Sequence, residues 1–171
     1  RIMTRHHEEE EKVDPLHAFI QNVMDNPLKF IGGIVAVVVL VAAGFLINVN
    51  KITNEQRQAT EYAKAMDIEE AAERAQALAL VANENGKYVA EALLMQGAAA
   101  IEAKDFDAAK MAYSKLVENH PNFEFTPDAA EGLGVIAQEQ KDYAGAIAQY
   151  RKVVETWPNS FTAKRQPYNI G

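Results

Sequence analysis

Between Phe30 and Val49 the chain reads FIGGIVAVVVLVAAGFLINV, without a charged residue, and nothing else in the sequence resembles it. The uninterrupted apolar run from Phe30 to Ile47 makes about 27 Å of helix at ~1.5 Å per residue, close to the ~30 Å hydrocarbon core of a bilayer. A core helix of a soluble domain usually shows a polar stripe or is shorter. A cleaved signal would have a shorter apolar run and a small-residue cleavage site. The expectation is therefore an uncleaved transmembrane helix over residues 27–50, with Pro27 opening it and Lys29 reaching to the headgroups. Within it Gly32 and Ala36, with Ala43 and Gly44 further along, are small residues that would let a second membrane helix approach closely. One span leaves about 29 residues before it and about 120 after it, room for one modest domain on one side only.

The approach to the span has two parts. Residues 1–13 carry RHHEEEEK, a charge run with no apolar period, and read as a flexible charged leader. Adjacent His6 and His7 in such a tail are solvated side chains rather than metal ligands. At Asp14-Pro15 the pattern changes to a helix start, an acidic N-cap followed by proline at the first helical position. Leu16, Phe19, Ile20, Val23 and Met24 then fall on one face, so residues 14–26 are expected to form an amphipathic helix resting in the membrane interface or against a neighbouring helix. Lys12 and Lys29 flank one side of the span and Lys51, Arg57 and Lys64 the other, so charge does not fix its orientation.

Beyond the span the chain stays helical but turns polar. From Asn50 onward there are 13 Lys/Arg against 18 Asp/Glu, a balance that disfavours nucleic acid, whose phosphates need a basic patch. The absence of cysteine excludes disulfides, thiolate metal sites and cysteine nucleophiles. Thr53 to Met66 holds no glycine or proline and continues the helix into water. Asp67 with Glu70 reads as a capping pair restarting a helix at Ile68, which runs to about Glu84 before Asn85-Gly86 ends it. Residues 51–86 thus form a linker helix and a divergent first hairpin.

The most specific signal is internal. KDFDAAKMAYSKLVENHPN, from Lys104 to Asn122, aligns with KDYAGAIAQYRKVVETWPN, from Lys141 to Asn159, with nine identities at a constant offset of 37 residues. Gly97 pairs with Gly134, Ala109 with Ala146, Tyr113 with Tyr150, Leu116 with Val153 and Pro121 with Pro158. Small residues on two facing helices let the backbones approach, tyrosine and an aliphatic residue fill the seam, and proline cannot continue the second helix. Asp105 and Asp142 are N-caps of the second helices, and Thr126-Pro127 reads as a further cap-plus-proline start. This pattern resembles the tetratricopeptide repeat, a helix-turn-helix unit, with units at residues 87–123 and 124–160 and the start of a further capping helix or repeat at 161–171. The period is three residues longer than the family's usual one, and the extra residues fall around Glu124 to Thr126. The fold class expected is all-α: a single transmembrane helix followed by an α-solenoid of such repeats.

Repeats of this kind need about three units to bury their apolar faces. The sequence begins at Arg1 without a methionine and stops at Gly171 in mid-pattern, and a longer chain supplying another helix or repeat is the expectation. The first helices of the units should line a concave wall for partners. By repeat position it carries Glu91, Leu94, Ala98, Ile101 and Glu102, then Asp128, Glu131, Val135, Gln138 and Glu139. The repeats that grip chaperone C-termini through a carboxylate clamp need basic residues and asparagine there, where this chain has Leu94, Ala98 and Glu131. A basic or apolar segment is the better fit. Nothing suggests an enzyme or a cofactor: His17 and His120 are isolated, no phosphate loop, HExxH motif or nucleophile elbow occurs, and Tyr150 and Trp157 read as seam packing.

The whole plan resembles the ancillary subunit family of the bacterial Sec translocon. HAFIQNVMDNPLKFIGGIVAV, from His17 to Val37, is similar to its approach to the membrane, and the stretch from Val81 to Leu116 to its repeat core. That resemblance implies a single-pass protein of the bacterial inner membrane, N-terminus in the cytoplasm and repeats in the periplasm, acting as an adaptor near the export machinery or periplasmic chaperones. A non-catalytic accessory subunit of another large membrane complex, respiratory or envelope, is the alternative. Either way the partners are other proteins and the lipid bilayer.

Overall fold

The structure, a computed structural model, describes residues 14–170; the charged leader at residues 1–13 and Gly171 fall outside them. Asp14 caps the first helix, α1 (Pro15–Asp25): its Oδ1 accepts the Leu16 N–H at 3.2 Å, and Pro15 occupies a position where an N–H would have no helical partner. Leu16, Phe19, Ile20 and Met24 all remain exposed on it. The next helix, α2 (Pro27–Met66), begins after a break at Asn26, and the Phe19 and Phe30 rings meet edge to face with centroids 5.9 Å apart. Among the described residues none buries the apolar run of α2 beyond Phe30, and the helix is long and apolar enough to cross a membrane, as a signal sequence also is. Gly32, Ala36, Ala43 and Gly44 are exposed, and a Cβ added at Gly32 or Gly44 would meet nothing within 4 Å.

Backbone contacts divide the chain after Asn50. From Lys51 onward the second unit comprises the rest of α2, then α3 (Ala71–Ala82), α4 (Val89–Glu102), α5 (Phe106–Asn119), α6 (Thr126–Glu139), α7 (Tyr143–Thr156) and α8 (Phe161–Ile170). Among the described residues there is no strand, so the class is all-α as expected. From α3 to α8 each helix packs on the next, and α4 also touches α6 and α6 touches α8.

The turns inside the hairpins explain why lysine and aspartate recur 37 residues apart. Lys104 and Lys141 adopt left-handed backbone, φ 59° and 65°, although a side chain there costs roughly 1–2 kcal/mol. Each closes the helix before it: the Asp105 N–H reaches the Ala100 carbonyl at 2.8 Å and the Lys104 N–H that of Ile101 at 2.9 Å, and Asp142 and Lys141 repeat both bonds to Ala137 and Gln138. The same aspartates then start the next helix. Asp105 Oδ1 accepts the Ala108 N–H at 3.0 Å and Asp142 Oδ1 the Gly145 N–H at 2.9 Å.

Two helix starts differ from expectation. α3 begins at Ala71 rather than Ile68, its N-cap Glu70 making no side-chain bond, because the carbonyls of Ile68 and Glu69 are held by the Arg74 guanidinium at 2.9 and 3.1 Å instead. α6 is capped by Phe125, and Thr126 lies inside it with its buried hydroxyl donating to the His120 carbonyl at 2.6 Å. Thr126 therefore ties the loop after α5 to α6 rather than capping the helix.

The core of the second unit is built from Leu78, Leu93, Leu116 and Ile136, all but fully buried, each worth roughly 1.5–3 kcal/mol of transfer free energy. Ala92, Ala109 and Ala129, completely covered, let the helices approach around them. Gln58 of α2 is buried as well, and its Nε2 donates to Glu84 and to the Asn85 carbonyl, both at 3.0 Å, fastening the loop between α3 and α4. Gly86 is glycine because a Cβ there would collide with that amide.

Candidate interaction surface

Two tyrosines pack against the backbones of α4 and α6. The ring of Tyr113 on α5 is wedged between Gly97 of α4, at one edge, and Gly132 of α6, at the other, and a Cβ at either glycine would fall inside contact distance of the ring. Tyr150 on α7 faces Gly134 of α6 in the same way, and its hydroxyl donates to Gln138 Oε1 at 3.1 Å. The aromatic ring fits only because the facing helix offers bare backbone. Burial, with the charge of Asp128 adding to it, pushes the Tyr113 hydroxyl up to about 12, so it stays protonated in its seam.

Residues 94–161 match the tetratricopeptide repeat family. No curated protein and no solved structure matches the chain. The matched stretch contains both glycine–tyrosine seams, and tetratricopeptide repeats generally mediate protein–protein interaction. They are typically non-catalytic. Among the described residues no three histidine, aspartate or glutamate side chains converge as a metal ion would require.

On α4, Glu91, Ala98 and Glu102 are exposed and Leu94 and Ile101 half-buried; on α6, Asp128, Glu131 and Val135 are half-buried and Gln138 and Glu139 exposed. Most of the carboxylates already have a partner within the helical stack. Glu91 accepts from the Tyr62 hydroxyl of α2 at 3.2 Å, and Tyr62 is pushed up to about 12 by burial and then by Glu91. Glu102 is paired with Arg74 of α3. Arg165 on α8 donates to Glu131 through both Nε and Nη2 and reaches Asp128 at 3.2 Å. Gln166 and Asn169 donate to the same Glu131 Oε1 at 2.9 and 3.3 Å. Among these ten residues, the apolar Leu94, Ala98 and Val135 stand beside carboxylates of which only Glu139 is without a bond to another helix or side chain named above.

The residues that complete this surface, Gly132, Tyr62, Arg74 and Arg165, were not legible as part of it. For Arg165 a signal existed: it lies one repeat offset, 37 residues, beyond Asp128. Its partner also predicts a pH dependence. Burial pushes Glu131 upward, but the bonds from Arg165, Gln166 and Asn169 outweigh it and hold the carboxyl below its usual range. A depressed folded pKa contributes stability above the unfolded value of about 4.3, which is lost as pH falls through the folded value. Amide exchange in α8 is therefore expected to accelerate, relative to α4 and α5, as pH drops below about 4.3. Glu131→Gln should flatten that dependence.

Proposed function

We propose that this chain is a membrane-anchored adaptor whose tetratricopeptide stack docks other proteins beside the export machinery of the bacterial inner membrane, with the N-terminus cytoplasmic and the repeats periplasmic. The observation that carries the reading is the pair of first helices, α4 and α6, which touch each other and bear Leu94, Ala98 and Val135 while carboxylates of the same helices are bonded within the stack. An apolar segment of a channel subunit or of a periplasmic chaperone is the occupant that such a wall favours. The bare apolar half of α2 supplies the anchor, and the resemblance of residues 17–37 and 81–116 to the ancillary translocon subunits supplies the place.

Photo-crosslinkers at Ala98 and Val135 in native membranes test this. Adducts with an export-channel subunit or a periplasmic chaperone, absent when the probe sits at exposed Met111 on α5, are the expected result. Identical adduct patterns from the wall positions and Met111 would refute the surface. Adducts confined to a respiratory or envelope complex would refute the export assignment.

A further inference from the structure

The second unit has two unlike edges. Arg57 and Gln58 of α2 bond to Glu84 and Asn85, at the end of α3, and Tyr62 bonds to Glu91 at the start of α4. The part of α2 beyond Lys51 therefore runs antiparallel to α3 and parallel to α4. With the remaining helices alternating in direction, the loops 83–88, 120–125 and 157–160 gather on the edge near which the chain passes Lys51. The turns 67–70, 103–105 and 140–142 gather on the opposite edge.

The two sets of connections differ in chemistry. The distal turns, DIEE, AKD and QKD, carry seven charged residues in ten. The proximal loops, NENGKY, HPNFEF and WPNS, carry three in sixteen, and one of these, Glu84, is neutralised by Arg57 at 2.8 Å. In place of charge they hold Tyr88, Phe123, Phe125 and Trp157, and Phe161 follows at once as the first residue of α8. Tyr88 and Phe125 stand 37 residues apart, each immediately before a wall helix, so the aromatic recurs with the repeat. Phe125 is 46 % exposed and Phe161 78 %. Between the last two loops lies an open cleft of about 550 Å³, in which the rings of Phe123 and Trp157 and three prolines alternate with polar side chains such as Asn122, Glu124 and Asn159. The distal edge also exposes an aromatic, Tyr143, but among charged neighbours.

Sparsely charged loops bearing phenylalanine and tryptophan match the headgroup level of a bilayer, where aromatic rings are enriched because one side of the layer is apolar and the other wet. Chain length limits how far the first of these loops can lie from the end of the apolar run, since Gln58, which is bonded to that loop, follows Val49 by nine residues, about 14 Å of helix. We propose that the proximal edge of the tetratricopeptide stack rests in the bilayer interface through Phe125, Trp157 and Phe161, making the lipid surface a second contact of this unit beyond its anchor. The proposal rests on the reading of α2 as a membrane span.

The chain has no cysteine, so single-cysteine variants of the full chain report one position each. Phe125→Cys, Phe161→Cys and, as the distal control, Tyr143→Cys would be labelled with an environment-sensitive fluorophore and reconstituted into phosphatidylcholine liposomes containing a lipid with a headgroup-level quencher. Quenching at positions 125 and 161 several-fold greater than at 143 is expected. In the unlabelled chain, the single tryptophan, Trp157, should be quenched by the same lipid, and Phe161→Ser should reduce that quenching without moving the melting temperature. Equal quenching at all three positions in liposomes that carry the protein on flotation would overturn the edge contact while leaving the anchor intact, and would leave the cleft to a protein partner. Failure of the chain to float with liposomes would remove the anchor reading itself.

Discussion

Gly134→Leu is expected to lower the unfolding midpoint of the second unit by several degrees, a loss of about 1–3 kcal/mol through overpacking. The leucine would gain helix propensity of nearly ~1 kcal/mol over glycine, so a net loss isolates the collision with the Tyr150 ring. Yielding is difficult for Tyr150, which is buried and whose hydroxyl is bonded to Gln138. A double-mutant cycle makes the mechanism explicit: in a Tyr150→Val background the same leucine should cost far less, with a coupling of about 0.5–3 kcal/mol. Melting of the intact chain in detergent, followed by helical circular dichroism, reads both. Unchanged melting for Gly134→Leu would mean that the glycine and tyrosine of the two helices do not face each other, and the repeat alignment would be wrong.

Arginine substitutions in α2 probe the anchor at larger scale. Phe30 to Ile47 holds twelve large aliphatic or phenylalanine side chains. On an insertion scale each contributes roughly −0.3 to −0.6 kcal/mol, and an arginine at the centre costs about 2.5–3.5. Val38→Arg alone should therefore leave the chain in the membrane pellet after alkaline carbonate washing, whereas Val38→Arg with Val41→Arg should release most of it. Release of the wild-type chain by the wash would sink the anchor, and an intact mass lacking residues 27–50 would show that the segment is a cleaved signal.

What could be read in advance follows the range of the interaction responsible. Local signals are legible: the Asp14-Pro15 start of α1, the capping roles of Asp105 and Asp142, and the repeat positions of Gly97, Tyr113, Gly134 and Tyr150, though not that each glycine faces a tyrosine ring. Features that depend on the neighbouring hairpin are not. Gly132 aligns with Met95 at the repeat offset, so nothing in the comparison marked it, yet it borders the ring of Tyr113 from the preceding unit. The start of α3 lies at Ala71, three residues beyond the expected Ile68, where Arg74 folds back onto the carbonyls of Ile68 and Glu69, a use of the side chain that spacing does not reveal. The acidity of the wall was overstated for the same reason. Tyr62, Arg74 and Arg165 neutralise or cover its carboxylates from helices on either side.

The left-handed lysines have a consequence for how this unit assembles. Each hairpin encodes its own stop and restart within a few residues, Lys104-Asp105 in one and Lys141-Asp142 in the other, through bonds that span no more than five positions. A hairpin closed by such short-range bonds loses little chain entropy before its seam begins to form. Either hairpin can therefore nucleate first and template the other, and synthesis from the N-terminus would let α4 and α5 close before α7 has left the ribosome.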